Sequence, residues 1–390
     1  METKEKAIFK VQKNDLLSAL EVTKPALTPI RGRGILHPTS DYVLTVCDDN
    51  LTVETYNGLL LIRKSVPAVN TGTLLSTFSL DRKILKAVRL LDEQELEFEL
   101  FEYQIAVRHN KGSFLFPLIN DVDDYEMLHR TEKRLEENVQ KRTFTIESPC
   151  LLSVMNRCKF AMACDMLMPV MSSMCIDIQN NHTNFVASDG HKLVRIRKDS
   201  LSQEESVKLL IDIFIVNALL RTLPKTGFVN VEYTDDLVCR FKIDGYGLEF
   251  VFKLTDGRYP NYNSVYPEHY VHSVTVDRTE LMKSIRRLSL FTNQSKAFKM
   301  NVRYGGIHLS AEDYDFSTGA NETVPCDYHD EPFVIAFQAD SFADSLKNLG
   351  PSKNVIINYS GGNVATILVP TEQPAHETVD ILLMPMLIND

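Results

Sequence analysis

No stretch of this chain approaches the ~18 consecutive apolar residues of a membrane-crossing helix, and the opening Met1-Glu-Thr-Lys-Glu-Lys6 is too charged for a secretory leader. Cysteine is sparse and unpatterned: seven residues, an odd number, with no C-x-x-C, so neither a disulfide framework nor a zinc site is indicated. Cys158, Cys164 and Cys175 read as small core residues in a reducing cytoplasm. Motifs that carry chemistry are missing as well. There is no Walker loop, no G-x-S-x-G and no HExxH, and Gly32-Arg-Gly34 lacks the third glycine and the helix start of a dinucleotide loop. The ten histidines are scattered without ligand spacing, so no metal or other cofactor is expected. Asp189 and His191 are the one hint of a dyad, and a tight Asp-Gly turn already accounts for the aspartate. The expectation is a non-catalytic protein. Positive charge is also short, with a formal net charge of −10, which taken alone argues against a nucleic-acid partner.

What the chain has is internal repetition. Thr143–Phe160 reads as a strand running into a helix. Phe144 and Ile146 alternate with threonines, Ser148-Pro149 is an N-cap followed by proline at the first helical position, and Leu151, Leu152, Met155 and Cys158 share a helical face. Shifted back by 135 residues, the same places are held by Phe9, Val11, Leu16, Leu17 and Leu20; shifted forward by 130, by Val274, Val276, Leu281, Met282 and Ile285. Asp277 and Glu280 give the third copy a capping-box-like start. A second helix repeats in the same rhythm: Ile84, Val88 and Leu91, then Val216, Leu220 and Leu223, then Phe342, Leu346 and Leu349. Apolar strands precede each, at Leu74–Phe78, Leu209–Ile213 and Phe333–Phe337. The 390 residues therefore divide into three homologous domains, expected at 1–125, 143–255 and 271–390, with a charged linker at 126–142 and a second linker at 256–270. The fold class is α+β, each domain carrying two helices on antiparallel sheets.

Charge is distributed unevenly over this plan. The six expected helices, Gln12–Lys24, Leu80–Leu91, Cys150–Phe160, Val216–Lys225, Thr279–Phe291 and Ala339–Leu349, together carry +8, which leaves −18 on the rest of the chain. Basic helices on an acidic body can form one positive surface, although for any single helix a solvated face is the plainer reading. Hairpins are expected at Asp189-Gly190, Asp244-Gly245, Gly305-Gly306 and Gly361-Gly362. The carboxylate-rich segment from Asp121 to Glu137 reads as a solvated charge run with a helical turn. The apolar tail Val379–Ile388 should be a central strand, part of a binding surface, or both.

Four segments, in this order along the chain, resemble the bacterial sliding clamp family, the β subunit of DNA polymerase III: Phe160-Ala-Met-Ala-Cys-Asp165, Ala187-Ser-Asp-Gly-His-Lys-Leu193, Asp256-Gly-Arg-Tyr-Pro-Asn-Tyr262 and Met384-Pro-Met386. The resemblance implies a head-to-tail homodimeric ring of six similar domains, with helices lining a hole that encloses duplex DNA through sequence-blind phosphate contacts. It implies a processivity factor that tethers DNA polymerase, clamp loader and repair proteins by short peptides. The matching pocket positions are Met171, Ser188, Gly190, His191, Leu193, Pro260, Val265, Leu382, Met384, Pro385 and Met386. Candidates facing DNA are Lys24, Arg82, Lys83, Arg157 and Lys283, and candidates for the subunit interface are Phe114 and Phe116 against Leu290 and Phe291. Departures from the family pattern are Ile213 and Phe214 in place of a basic pair, Met168, Ser264 and Leu387 in place of arginines, and Ser341 in place of a tyrosine. They motivate an alternative: a clamp-like peptide-binding scaffold that is not loaded on DNA. An enzyme acting on phosphoesters through Asp189 and His191 is the least favoured reading.

Overall fold

A computed structural model of the chain describes residues 8–27, 41–70, 76–118, 131–137, 140–165, 167–199, 201, 206–313, 315–361 and 364–387. Gly32-Arg-Gly34, Leu74 and Gly362 lie outside these. The chain gathers into two compact units, one of residues 1–152 with 214–254 and one of 153–213 with 255–390.

The first unit holds two antiparallel sheets. A five-stranded sheet runs Val69–Asn70, Ile8–Gln12, Glu95–Leu100, Gln104–His109, Gly112–Pro117. An eight-stranded sheet runs Arg142–Glu147, Phe228–Tyr233, Val238–Ile243, Leu248–Lys253, Leu60–Pro67, Asn50–Tyr56, Tyr42–Cys47, Ser76–Leu80. The helices Lys13–Thr23 and Lys83–Arg89 pack on one core with Phe9, Phe78 and Phe98, where Phe9 and Phe98 stack at 4.5 Å. The second unit is built on a twelve-stranded sheet: Val207–Asp212, Ser173–Ile178, Thr183–Ser188, Lys192–Lys198, Glu377–Leu383, Thr366–Pro370, Asn354–Tyr359, His272–Asp277, Thr318–Asp327, Gly306–Asp313, Ala297–Arg303, Phe333–Gln338. The tail expected to be a central strand is one, paired with Lys192–Lys198 on one side and Thr366–Pro370 on the other. Both large sheets join strands that the repeat assigns to successive thirds of the chain, Leu248–Lys253 with Leu60–Pro67 and Lys192–Lys198 with Glu377–Leu383. Each joint covers two edges that would otherwise be open to pairing.

Local signals explain some element ends. Asp277 caps the helix Arg278–Leu288, its carboxylate accepting from the Thr279 and Glu280 amides at 2.9 Å each. Gly190, with φ near +90°, makes the turn between Thr183–Ser188 and Lys192–Lys198. Three helix starts differ from expectation by two residues or more, and the one expected at Val216 begins at Ile213. The helix expected over Leu80–Leu91 begins at Lys83, because Leu80 ends a strand and Asp81 accepts from the Lys83 amide at 2.7 Å. Ser148 opens the helix Ser148–Cys158, and its hydroxyl donates to the Pro224 carbonyl, which ties the helix start to another segment.

The charged linker departs most from its reading. Residues 131–137 form a helix that lies on the eight-stranded sheet. Leu135 is fully buried among Val43, Tyr56, Leu61, Val238 and Val251. Glu132 is buried and accepts from Arg63 Nη1 and Nη2, both at 2.8 Å, and from Arg240 at 2.9 Å. Glu132 is thus part of a packed ion network, while Glu136 and Glu137 are exposed as a solvated run implies, and Asp121, Asp123 and Asp124 lie outside the described residues.

Candidate binding groove

The second unit carries a groove on one face of its sheet. Strand alternation brings Cys175, Val186, Leu193, Leu382 and Ile367 to that face as an apolar floor, over which Tyr259 and Tyr262 pack. Segment 256–270 is the cover. Gly257 begins it with φ near +133°, and a Cβ there would meet Val170 Cγ2 at 2.7 Å, so the approach requires glycine. Between floor and cover lies a cavity of about 190 Å³ lined by Met171, Ser188, Gly190, Leu193, Pro260, Val265, Leu382 and Met384, together with Lys192, Tyr259, Asn261 and Tyr262. Eight of the eleven pocket positions implied by the family resemblance thus meet in one place. The other three, His191, Pro385 and Met386, line an adjoining cavity of about 240 Å³ with Ser295, Phe337, Gln338, Ser341 and Phe342; Met384 borders both. Met386 is held by an isolated bridge to Ala336.

Buried polar groups fasten the cover to the floor. The Tyr262 hydroxyl donates to Asp177 at 2.7 Å and accepts from the Asn184 amide at 3.1 Å. The Tyr266 hydroxyl donates to Asp380, whose other oxygen accepts from Arg195 Nε and Nη2 at 3.1 and 3.0 Å. Burial pushes both tyrosines above their ordinary range, and the neighbouring aspartates push them further, so the hydroxyls stay protonated donors. Lys192, Tyr259, Asn261 and Tyr262 also line the wall, beyond the positions that the resemblance implies. Alternation along the strand assigns Lys192 to the face opposite Leu193, and the other three stand in a segment that reads as a linker.

The other candidate residues are scattered. Asp189 accepts from the His191 and Lys192 amides at 3.0 and 2.9 Å and pairs with the Lys192 ammonium. Burial alone would raise its carboxyl, but these bonds outweigh that and hold it below the ordinary value. That is a turn aspartate with its oxygens in use. Among the described residues, no group of three metal-ligating side chains stands together. Lys24, Arg82, Lys83 and Lys283 are exposed. Arg157 is a correction. Its side chain is only 12 % exposed, donating to Glu377 at 2.6 Å and to the Asn348 carbonyl at 3.1 Å, so its charge is spent inside the unit. Phe116 is a second correction. It is buried in the core of the first unit, Phe114 is half-buried against His109, and the outward residue of that edge strand is Leu115, 63 % exposed. Leu290 and Phe291 stand exposed on the turn Ser289–Phe291.

Residues 145–261 match the family model for the central domain of the DNA polymerase III beta subunit, and residues 263–387 match that for its C-terminal domain. A relative called beta sliding clamp from Treponema pallidum is 26 % identical over 343 residues, 86 % of this chain and 88 % of the relative. The DNA polymerase III beta chain of Streptococcus pneumoniae superposes with a TM-score of 0.86 at 21 % identity, over 98 % of this chain and all of that one. The sliding clamp of Pseudomonas aeruginosa bound to griselimycin gives 0.86 at 19 % over the same shares. This chain belongs to the DNA polymerase III beta subunit family, the sliding clamps that serve DNA replication as processivity factors.

Proposed function

We propose that two copies of this chain close head to tail into a ring of six similar domains that encloses duplex DNA, while the groove of the second unit takes short peptides from polymerase, clamp loader and repair proteins. Family membership supports the ring. The observation that carries the partner reading is the groove: an apolar floor, a fastened cover and flexible Met171 and Met384 at its walls, the surface that adaptable peptide recognition uses. Enclosure needs no catalytic group, and the exposed Lys24, Arg82, Lys83 and Lys283 supply sequence-blind phosphate contacts. The division into three domains at 1–125, 143–255 and 271–390, the lack of catalysis and a cytoplasmic setting belong to this reading. So does an interface between the edge strand Gly112–Pro117, with Leu115 outward, and Leu290 and Phe291.

Light scattering over a range of concentrations tests the ring. A mass near twice 44.4 kDa is expected, and 44.4 kDa throughout would remove it. Met384→Ala with Met386→Ala is expected to weaken griselimycin binding by about tenfold with the mass unchanged; unchanged affinity would discard the groove. The scaffold that is not loaded on DNA remains the second reading. Arg157 in its ion pair with Glu377 favours it, because it removes a cation from the candidate DNA surface. Normal griselimycin binding without loader-dependent retention on circular DNA would select it.

A further inference from the structure

The two large sheets repeat one polar device. In the first unit Arg63 lies opposite Glu249 across the joint between Leu60–Pro67 and Leu248–Lys253, and its Nη1 donates to Glu249 at 3.2 Å and to Glu132 of the overlying helix at 2.8 Å. In the second unit Arg195 lies opposite Asp380 across the joint between Lys192–Lys198 and Glu377–Leu383, donates to Asp380 at 3.0 and 3.1 Å, and from Nη1 donates to Asn263 of the overlying cover at 3.1 Å. The parts correspond by position. Arg63 and Arg195 are 132 residues apart, and Glu249 and Asp380, like Glu132 and Asn263, are 131 apart, the spacing of the internal repeat. An arginine on one strand, an acid on the strand it joins and an oxygen on the segment above recur together. In the second unit the Arg195 guanidinium also lies 4.1 Å from the centroid of the Tyr266 ring, whose hydroxyl bonds the same Asp380.

In the first unit the fastened segment carries Leu135 into the sheet face. In the second it carries Pro260 and Val265, which are groove wall, while Arg195, Asp380, Asn263 and Tyr266 do not line the cavity. Val265 sits between Asn263 and Tyr266, so its placement follows from theirs. We propose that Arg195, with Asp380, Asn263 and Tyr266, is the positioning set of the groove: it holds the Pro260–Val265 wall preformed, and thereby sets ligand affinity without touching the ligand. A wall already in place spares the ligand the entropy of ordering it. This inference rests on the groove reading above.

The test uses the full chain and griselimycin as probe. Tyr266→Phe keeps the ring under Arg195 and removes only the hydroxyl that donates to Asp380; Asn263→Ala removes, on an exposed residue, the amide oxygen that accepts from Arg195. The double variant is expected to bind griselimycin about tenfold more weakly, with Tm within about 3 °C of the parent. Amide exchange over residues 259–266 should rise in the free protein and be suppressed by griselimycin far more strongly than in the parent. A merely structural loss would move Tm and exchange throughout the unit. Affinity within twofold of the parent, or exchange over 259–266 unchanged, overturns the inference and leaves the groove standing. Failure of the parent itself to bind griselimycin overturns the groove and the inference with it.

Discussion

The joints at Arg63 and Arg195 share a plan and differ in what lies above them. Over Arg63 the covering helix brings a second carboxylate, Glu132, which also draws in Arg240, and it drives Leu135 into the apolar face. Three carboxylates, Glu54, Glu132 and Glu249, surround one guanidinium there. Over Arg195 the cover offers an amide and a phenol in place of carboxylates, and a cavity lined by Leu193 and Leu382 stays open beneath it among the described residues. The same backbone plan thus yields a sealed joint where the cover is charged and has a leucine to insert, and an open groove where the cover's own groups are neutral, Asn263 and Tyr266 bonding to the charged Arg195 and Asp380. A buried carboxylate without its cation is costly, whereas a buried hydroxyl loses far less.

That contrast can be broken by variants read in urea denaturation. Arg63→Met leaves three largely buried carboxylates facing one another and should cost about 4 kcal/mol in the first unit, whereas Arg195→Met leaves one carboxylate still bonded to Tyr266 and should cost about 2 kcal/mol. Equal costs would mean the joints are alike energetically. Leu135→Ala removes the inserted side chain and should cost about 3 kcal/mol; a cost near zero would show that the helix is held by its charges alone. The far end of the Arg195 joint has its own acid. Burial would raise the Glu377 carboxyl, but bonds from Lys198 and Arg157 outweigh burial and hold it below its ordinary 4.5. A depressed folded value means its contribution is full above 4.5 and is lost as pH falls below that, so Glu377→Gln should flatten the acid limb of the stability curve of the second unit. An unchanged acid limb would contradict that. The smallest effect is away from both joints: Asp277→Ala, which removes a helix cap, should cost about 1 kcal/mol.

Much of this was legible where the cause is local. The strands Glu95–Leu100, Gln104–His109 and Leu248–Lys253 end where alternation and turn residues say they should, and Asp277 and Gly190 act as their types and positions imply. What was not legible depends on partners far along the chain. Arg157 looks like a free cation on a basic helix, and only Glu377, 220 residues on, makes it an internal one. Ser113-Phe-Leu-Phe-Pro117 has no polar residue between its aromatics to tell the two faces apart, so the burial of Phe116 and the exposure of Leu115 could not be assigned from pattern. The helix 131–137 hides its nature because its inward side is mostly charge, with Glu132 and Leu135 facing arginines and apolar residues drawn from two distant sheet segments. The groove positions are legible only through family resemblance, since four separate segments, at Met171, 188–193, 259–265 and 382–384, contribute to it and no single one is unusual by composition.

The strand Glu377–Leu383 sets the order in which the second unit can be finished. It stands between four strands that precede residue 213 and seven that follow residue 271, and its pairing with Lys192–Lys198 closes a loop of 185 residues between Arg195 and Asp380. Until that strand emerges, Lys192–Lys198 and Thr366–Pro370 present open edges, so during synthesis the unit exists as two incomplete sheets with pairing capacity toward other chains. Closing so long a loop is entropically slow, which places the assembly of the groove, whose floor spans the same joint, among the last events in folding.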